Sequence, residues 1–391
     1  MAIQSIRLKK NKEFALLKGH PWVFREAVAQ GACELRTGQE AVVISHKGEY
    51  LGRGYIDADS NILIRLVVGN EEDSISRRIE RRLAQAVRLR ESFFLDQKTT
   101  AWRLVNGEGD GIPGLVIDRY SDALSLQIYS LGLEPFLDLI VGTLLKLIPG
   151  LRWIWRRNQV RRAAASEGAG LLHGSDLPEE IRFQEYGLQF QTDLKHGQKT
   201  GFFLDQRENR QLVRRFARGR RLANVCGYTG GFTVAAIAGG ASRTLTIDTA
   251  QPALEEAQAN LSLNRFSAKC HETRRMDMFD FLANPGEEFD LIVLDPPSMA
   301  RSQADLPQAL RAYQKLNLEA MKCLPPGGLL FTASCSSHVS RDAFLEALTQ
   351  AALRARRQAR ILCETQNAPD HPVSLGHPEG RYLKGILMEM A

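Results

Sequence analysis

Apolar and polar positions along the chain fall into three successive rhythms. In the first 70 or so residues, the run AVVISHKGEYLGRGYI mixes β-branched and aromatic residues with Gly48, Gly52 and Gly54, a pattern that predicts short strands joined by turns. From Ser76 the period changes. Ile79, Leu83, Val87 and Phe94 recur at helical spacing among many arginines, predicting an amphipathic helix with a solvated basic face. Strands then follow in AWRLVNGEGDGIPGLVIDRYSDALSLQIYS, around a long turn marked by Gly107, Gly109, Gly111, Pro113 and Gly114. A helix over Pro135 to Leu147, a strand in RWIWRRN and a small polar loop over 163–180 complete this second stretch. Beyond Tyr186 the short apolar runs ANVC, TLTI, LIVL and LLFTAS alternate with helical stretches over 206–217, 252–263, 305–323 and 341–357, and GILMEM closes the chain. That alternation predicts a doubly wound parallel sheet. The reading is therefore three domains: β-rich 1–72, α+β 73–185 and α/β 186–391.

Composition excludes several classes. With 44% hydrophobic and 25% charged residues in a chain of 391, wholesale disorder and fibrous repeats are ruled out. No run of 18 apolar residues occurs, and MAIQSIRLKKNKEF is unlike a secretory signal, so a cytoplasmic protein is expected. The net charge of +6 is modest. Of the 51 basic residues 38 are Arg, and guanidinium forks suit phosphates and bases, a bias that GC-rich coding would also produce. Six dispersed cysteines form no C-x-x-C pair, so neither a disulfide framework nor a metal site is indicated. Near the N-terminus a Lys cluster (Lys9, Lys10, Lys12, Lys18) precedes Gly19-His20-Pro21-Trp22-Val23-Phe24, whose Trp and Phe are expected to anchor a small core, with base stacking as the alternative.

Candidate chemistry is concentrated in the last 200 residues. LANVCGYTGGFTVAAIA places a strand, a turn holding Gly227, Tyr228, Gly230 and Gly231, and a helix, an arrangement in which backbone approaches a ligand at a helix N-terminus. Asp248 ends the next strand about 20 residues on, where a carboxylate can accept from both ribose hydroxyls; capping the helix that starts near Pro252 is the structural alternative. Turn and acid together indicate a nucleoside cofactor, and this logic is common to NAD and S-adenosylmethionine. Asp277, in MDMFDFL, occupies a loop position suited to an adenine amine. In FDLIVLDPPSM, Asp295 ends an apolar strand ahead of two prolines that stiffen the loop and supply no backbone donors. Cys335 ends the strand in LLFTASCSSH. Four strand ends thus converge on one rim.

The ordered set NVCGYTGGF, TIDTA, LDPP and ASCSSH, with GQKTGFFLDQRENR upstream and DHPVSLGHPEGRYLKG downstream, resembles the bacterial ribosomal RNA large-subunit methyltransferase I family over essentially the whole chain. The resemblance implies a PUA RNA-binding domain over 1–72, a small central α+β domain over 73–185 and a Rossmann-like class I methyltransferase domain over 186–391. It implies S-adenosyl-L-methionine as cofactor, 23S ribosomal RNA or a large-subunit precursor as partner, 5-methylcytosine as product, and leaves room for a homodimer. Three positions depart from the pattern: in the cofactor turn Asn224 stands where an acid is usual and Tyr228 where a glycine is, and Ser298 follows Asp-Pro-Pro in place of a long side chain.

Carbon 5 of cytosine is a poor nucleophile until a thiolate adds at carbon 6. Cys335, in a small polar strand end, is the expected thiolate; Cys226, in the cofactor turn, is its rival. Asp295 is expected to bind nitrogen 3 and the exocyclic amine. His338 is a candidate for the base that removes the carbon 5 proton, and methylation of a guanine or adenine amine at Asp-Pro-Pro is the alternative chemistry. Gln206 and Arg207 either line the cofactor pocket or cap the helix that begins there. Seven arginines over 207–221 (Arg207, Arg210, Arg214, Arg215, Arg218, Arg220, Arg221) and a second set (Arg152, Arg156, Arg157, Arg161, Arg162) are candidates for RNA phosphates.

Overall fold

The computed structural model describes residues 3–29, 35–69, 73–157, 169–197, 200–300 and 302–391. It divides into two compact units. One comprises Met1–Phe183, Thr192–Phe202 and Pro369–Gly380; the other comprises Gln184–Gln191, Phe203–Ala368 and Arg381–Ala391.

In the first unit, β1 (Gln4–Arg7), a single turn α1 (Phe14–Leu17), β2 (Trp22–Phe24), β3 (Glu40–Ile44), β4 (Tyr50–Ile56) and β5 (Ile62–Val68) build a sheet of order β1-β3-β4-β5-β2. Glycine at 54 is required there, since a Cβ would lie 2.0 Å from the Arg65 carbonyl oxygen. Strand alternation overturns the expected Trp–Phe anchor: Val23 is buried, whereas Phe24 is exposed and Trp22 is only half-buried, donating from Nε1 to Glu108 (2.9 Å). Helix α2 (Ile75–Phe93), capped by Ser74 accepting from Arg77, turns Ile75, Ile79, Leu83 and Val87 inward as the 3.6-residue period requires.

A second sheet follows, built from β6 (Ala101–Asn106), β7 (Leu115–Tyr120), β8 (Ala123–Ile128), β9 (Trp153–Arg157) and β10 (Gly170–His173), with α3 (Leu137–Leu147) crossing between the parallel pair β8 and β9. Gly170–His173 corrects the expected loop over 163–180: it adds to β9 as an antiparallel edge strand. Tyr55, Val67 and Val68 of the first sheet share one apolar cluster with α2, α3 and the second sheet. Arg90, fully buried, grips Asp110 with both terminal nitrogens (2.6 and 2.7 Å) and donates to the Asp370 carbonyl (2.8 Å), which fastens the 369–380 segment into this unit.

Strands β11 (Ile181–Glu185) and β12 (Leu188–Thr192) form a two-stranded hairpin; Tyr186 and Gly187 both have positive φ, as a two-residue turn of matching twist demands. The second unit then runs α4 (Arg207–Phe216), β13 (Arg221–Val225), α5 (Gly231–Ala238), β14 (Arg243–Asp248), α6 (Gln251–Leu263), β15 (His271–Arg275), α7 (Met278–Ala283), β16 (Leu291–Leu294), α8 (Leu306–Cys323), β17 (Leu329–Ser334), α9 (Arg341–Ala355), β18 (Ala359–Thr365) and β19 (Lys384–Met390). These strands form one sheet of order β15-β14-β13-β16-β17-β19-β18, in which β19 alone runs antiparallel to its neighbours. Alternate residues feed opposite faces: Leu291, Val293 and Phe331 pack under α4 and α5, and Ile292, Leu294 and Leu330 under α7, α8 and α9. Chain order reverses between β13 and β16, so their carboxyl ends open the crevice in which such sheets bind ligands. Among the described residues no helix is long and apolar enough to cross a membrane.

Candidate active site

The turn after β13 carries three left-handed residues, Cys226 (φ 58°), Tyr228 (46°) and Gly230 (75°). Two of them have side chains, a conformation that costs energy and persists only where surroundings enforce it. Here Asp248 enforces it. Its Oδ2 accepts from the Tyr228 amide (2.9 Å) and its Oδ1 from that of Ala250 (3.0 Å), while the Phe203 ring stands edge-on to Tyr228 at 5.2 Å. The glycines serve packing as much as ligand approach. A Cβ on Gly227 would lie 2.5 Å from Thr246 Cγ2 and 2.8 Å from Asn224 Nδ2, and one on Gly230 would lie 2.9 Å from Ala257 Cβ on α6. Helix α5 starts at Gly231 without a side-chain cap, which leaves its first amides for a ligand or water. Asn224 is fully buried and donates to Thr233 Oγ1 (3.0 Å), which shares a hydrogen bond with Thr246 Oγ1 (2.6 Å). It therefore knits β13, α5 and β14 together rather than facing the crevice.

Asp277 is exposed and caps α7, accepting from the Phe279 amide (2.7 Å). Burial pushes the Cys226 thiol far up, and the carboxylates of Asp248, Asp295 and Asp277 push it further. That convergence shows three carboxylates gathered round one strand end. A thiol so held is a weaker nucleophile, which counts against Cys226.

Asp295 follows β16, its amide reaching the Val225 carbonyl (3.4 Å). The loop beyond it is joined to the end of β17. Cys335 Sγ lies 3.9 Å from the Pro296 carbonyl oxygen, and Ser336 Oγ donates to the Ala300 carbonyl (2.9 Å), as does the exposed Ser298 (3.2 Å). The thiol thus faces the carbonyl between the two prolines of the loop. Two residues that sequence reasoning passed over complete this rim. Tyr313 of α8 lies under it, its phenol pushed up by burial and by the charges of Cys335 and Asp295. Lys384 of β19, paired in register with Ser334, donates from Nζ to the carbonyls of Ser336 (2.5 Å) and Val339 (2.7 Å). A cation opening a strand that is apolar but for Glu389 was its signal. His338 is exposed on the turn after Cys335. Gln206 and Arg207 are both buried at the start of α4, where Gln206 accepts from Asn209 and Arg207 donates to Glu208 (3.2 Å); neither caps the helix with its side chain.

A profile of S-adenosylmethionine-dependent methyltransferases matches residues 154–376, and a PUA-like domain profile matches 6–68. The chain is 37% identical over 392 residues to the ribosomal RNA large subunit methyltransferase I of Tolumonas auensis, covering 98% of each chain. It belongs to the ribosomal RNA large subunit methyltransferase I family. The family member of Escherichia coli O139:H28 is 36% identical over 386 residues, 97% of each chain. Two solved structures share the fold at 23% identity. An S-adenosylmethionine-dependent methyltransferase from Streptococcus mutans has a TM-score of 0.86, covering 99% of this chain and 100% of its own. A methyltransferase complexed with SAH has 0.87, covering 100% of both.

The donor set of this methyltransferase fits S-adenosylmethionine. Three carboxylates, at or just beyond the carboxyl ends of β14, β15 and β16, offer acceptors for hydroxyl and amine groups and a negative field for a sulfonium, and uncapped amides at α5 suit a carboxylate. The two arginine clusters divide. Arg210 forms a buried bidentate pair with Glu185 (Nε to Oε1 2.7 Å) and Arg207 is buried. Arg220 bonds backbone carbonyls, Arg221 pairs with Asp290 (3.2 Å) and Arg214 meets Gln211, whereas Arg215 and Arg218 are exposed. Arg156 pairs with Glu134 (Nη1 2.9 Å), Arg157 donates to the Gly197 carbonyl, and Arg152 covers the Trp153 ring at 4.0 Å; Arg161 and Arg162 lie outside the described residues. Most of these cations hold the fold, so sequence density overstated the surface left for phosphate.

Proposed function

We propose that this methyltransferase places a methyl group on carbon 5 of a cytosine in 23S ribosomal RNA, through a covalent adduct on Cys335. The relatives' name supports the substrate, and a cytoplasmic location accords with it. One observation carries the chemistry: the Cys335 thiol and the loop that begins at Asp295 meet at a single rim, Sγ 3.9 Å from the Pro296 carbonyl, while the rival Cys226 is held protonated.

The Cys335 sulfur bonds to carbon 6 of the pyrimidine, and the electron pair of the 5,6 double bond moves onto carbon 5 and into the ring. Asp295 binds nitrogen 3 and the exocyclic amine, and a proton shared there offsets the charge that develops as sulfur adds. S-adenosylmethionine supplies an electrophilic methyl group on a sulfonium. Carbon 5 would take that methyl as its bond to the sulfonium breaks, S-adenosylhomocysteine leaving as the neutral thioether; a base then removes the carbon 5 proton, the double bond re-forms and the thiolate leaves. Asp248 serves the ribose hydroxyls, Asp277 the adenine amine, and the Gly227, Tyr228, Gly230 and Gly231 turn the methionine portion, with Gln206 and Arg207 behind it. The PUA-like domain and the central sheet supply surface for RNA, whose target base has to leave its stack to reach Cys335.

The test is Cys335→Ala. It is expected to abolish methyl transfer while calorimetry shows unchanged affinity for S-adenosylhomocysteine, and digested product RNA from the native enzyme should contain 5-methylcytosine. A methylated guanine or adenine amine, with the variant still active, would transfer the assignment to amine chemistry at Asp-Pro-Pro.

A further inference from the structure

Lys384 opens a strand that is apolar apart from Glu389 near its far end, and only 8% of it is accessible to solvent. An ammonium so placed needs hydrogen-bond acceptors and a counter-charge. The Ser336 and Val339 carbonyls supply the acceptors, at 2.5 and 2.7 Å. These carbonyls belong to the turn that follows Cys335, so one side chain clamps the segment that presents the thiol. As for charge, among the described residues no carboxylate forms an ion pair with Lys384, and the ionisable group that acts on it is Cys335. The placement follows from topology: β19 is antiparallel to β17, with Lys384 opposite Ser334, so Nζ reaches past the end of β17.

We propose that Lys384 is a positioning residue that holds Cys335 as a thiolate by forming an ion pair with it. This deepens the reading of Cys335 as the nucleophile and rests on it.

The described ionisable groups around the thiol come from three other elements. Asp295 at the end of β16 is an anion and opposes a thiolate; Tyr313 of α8 is a neutral phenol; Lys384 of β19 is the cation that offsets Asp295. His338, on the same segment as Cys335, is exposed. Burial draws the Lys384 ammonium down to about 8, and a thiolate at Cys335 draws it back up. Such coupling is reciprocal: whatever a thiolate does for the ammonium, the ammonium does for the thiolate. The proton lost from sulfur passes to solvent, and the pair is ready for attack at carbon 6 without a separate base.

The experiment is the pH dependence of Cys335 alkylation by iodoacetamide, followed by peptide mass spectrometry, in the full-length native chain and in Lys384→Gln, Lys384→Met and Lys384→Arg. In the native protein the midpoint should lie below that of an ordinary thiol. Lys384→Gln keeps a donor for the two carbonyls without the charge, and is expected to raise the midpoint by at least a unit and slow alkylation at pH 7 about tenfold. Lys384→Met should do the same, and Lys384→Arg should restore most of the reactivity. S-adenosylhomocysteine affinity reports that each variant is folded. A midpoint unchanged in Lys384→Gln, with that affinity retained, overturns the ion pair. Because alkylation reads the thiol without methyl transfer, the two readings fail separately. An active Cys335→Ala removes the covalent mechanism while the ion pair stands; an inactive Cys335→Ala with an unmoved midpoint removes the ion pair alone.

Discussion

Gly227 offers a strict test of how the cofactor turn is held. Replacing it with alanine puts a methyl carbon 2.5 Å from Thr246 Cγ2 and 2.8 Å from Asn224 Nδ2, whereas unstrained carbon contacts lie near 3.5–4.0 Å. About 1 Å must be recovered. Neither neighbour can yield cheaply: both are fully buried on adjacent strands, and they are tied together through Thr233. The turn has to lift instead, against the Gly227 amide bond to the Ile247 carbonyl (2.9 Å), and the lift carries Tyr228 away from Asp248. Overpacking of this kind costs about 1–3 kcal/mol. Gly227→Ala should therefore lower stability by that amount in urea unfolding followed by circular dichroism, and weaken S-adenosylhomocysteine binding at least tenfold by calorimetry. Gly142→Ala is the control of opposite sign. Gly142 sits within α3 with nothing within 4 Å of an added Cβ, so alanine should stabilise by about 0.5–1 kcal/mol through helix propensity and leave binding unchanged. Wild-type affinity and stability in Gly227→Ala would refute this description of the turn.

Three further outcomes are expected. Arg210→Met leaves Glu185 as an uncompensated buried anion and should cost about 3–5 kcal/mol in urea unfolding, with part recovered when Glu185→Gln is added. Burial holds His271 down to about 4 from an ordinary 6.5, and its Nε2 has no hydrogen-bond partner. The unfolded chain then binds this proton between pH 6.5 and 4 while the folded chain does not. Stability should fall by roughly 2–3 kcal/mol as pH drops through that window, and His271→Gln should flatten the fall. Finally, Arg215→Gln with Arg218→Gln should reduce the salt dependence of RNA binding by about 0.7–0.9 in slope per lost phosphate contact, with cofactor affinity unchanged.

What the sequence made legible follows from where packing is regular. The buried strands β13, β14, β16 and β17 read directly, because both faces are covered and each keeps a short run of apolar residues, ANVC, TLTI, LIVL and LLFTAS, amid buried Thr, Asn and Ser. The edge strand β15, HETRR, carried no such signal because it keeps polar residues towards solvent, and in β18, ARILCET, the apolar Ile361 and Leu362 are exposed beside charged residues, so no buried run marks it. Asp248, Asp295 and Cys335 could be singled out from the sequence because they stand at strand ends, where the fold sets the crevice. Lys384 and Tyr313 escaped, because each reaches the rim through pairing or packing between segments far apart in sequence. The arginines misled in the other direction. Charge density along the chain does not reveal that Arg210 meets Glu185 and Arg90 meets Asp110, pairs that only tertiary structure creates. Trp22 and Phe24 show the same limit at short range, since strand alternation turns Val23 inward and leaves its aromatic neighbours half-buried or exposed.

Bisulfite sequencing of ribosomal RNA from cells with and without this protein bears most directly on the central claim. Bisulfite converts cytosine but spares 5-methylcytosine. The mechanism built on Cys335 and Asp295 predicts one protected cytosine in 23S ribosomal RNA that becomes convertible when the protein is absent, and that Cys335→Ala fails to restore. An identical pattern of protected cytosines in both strains would contradict it.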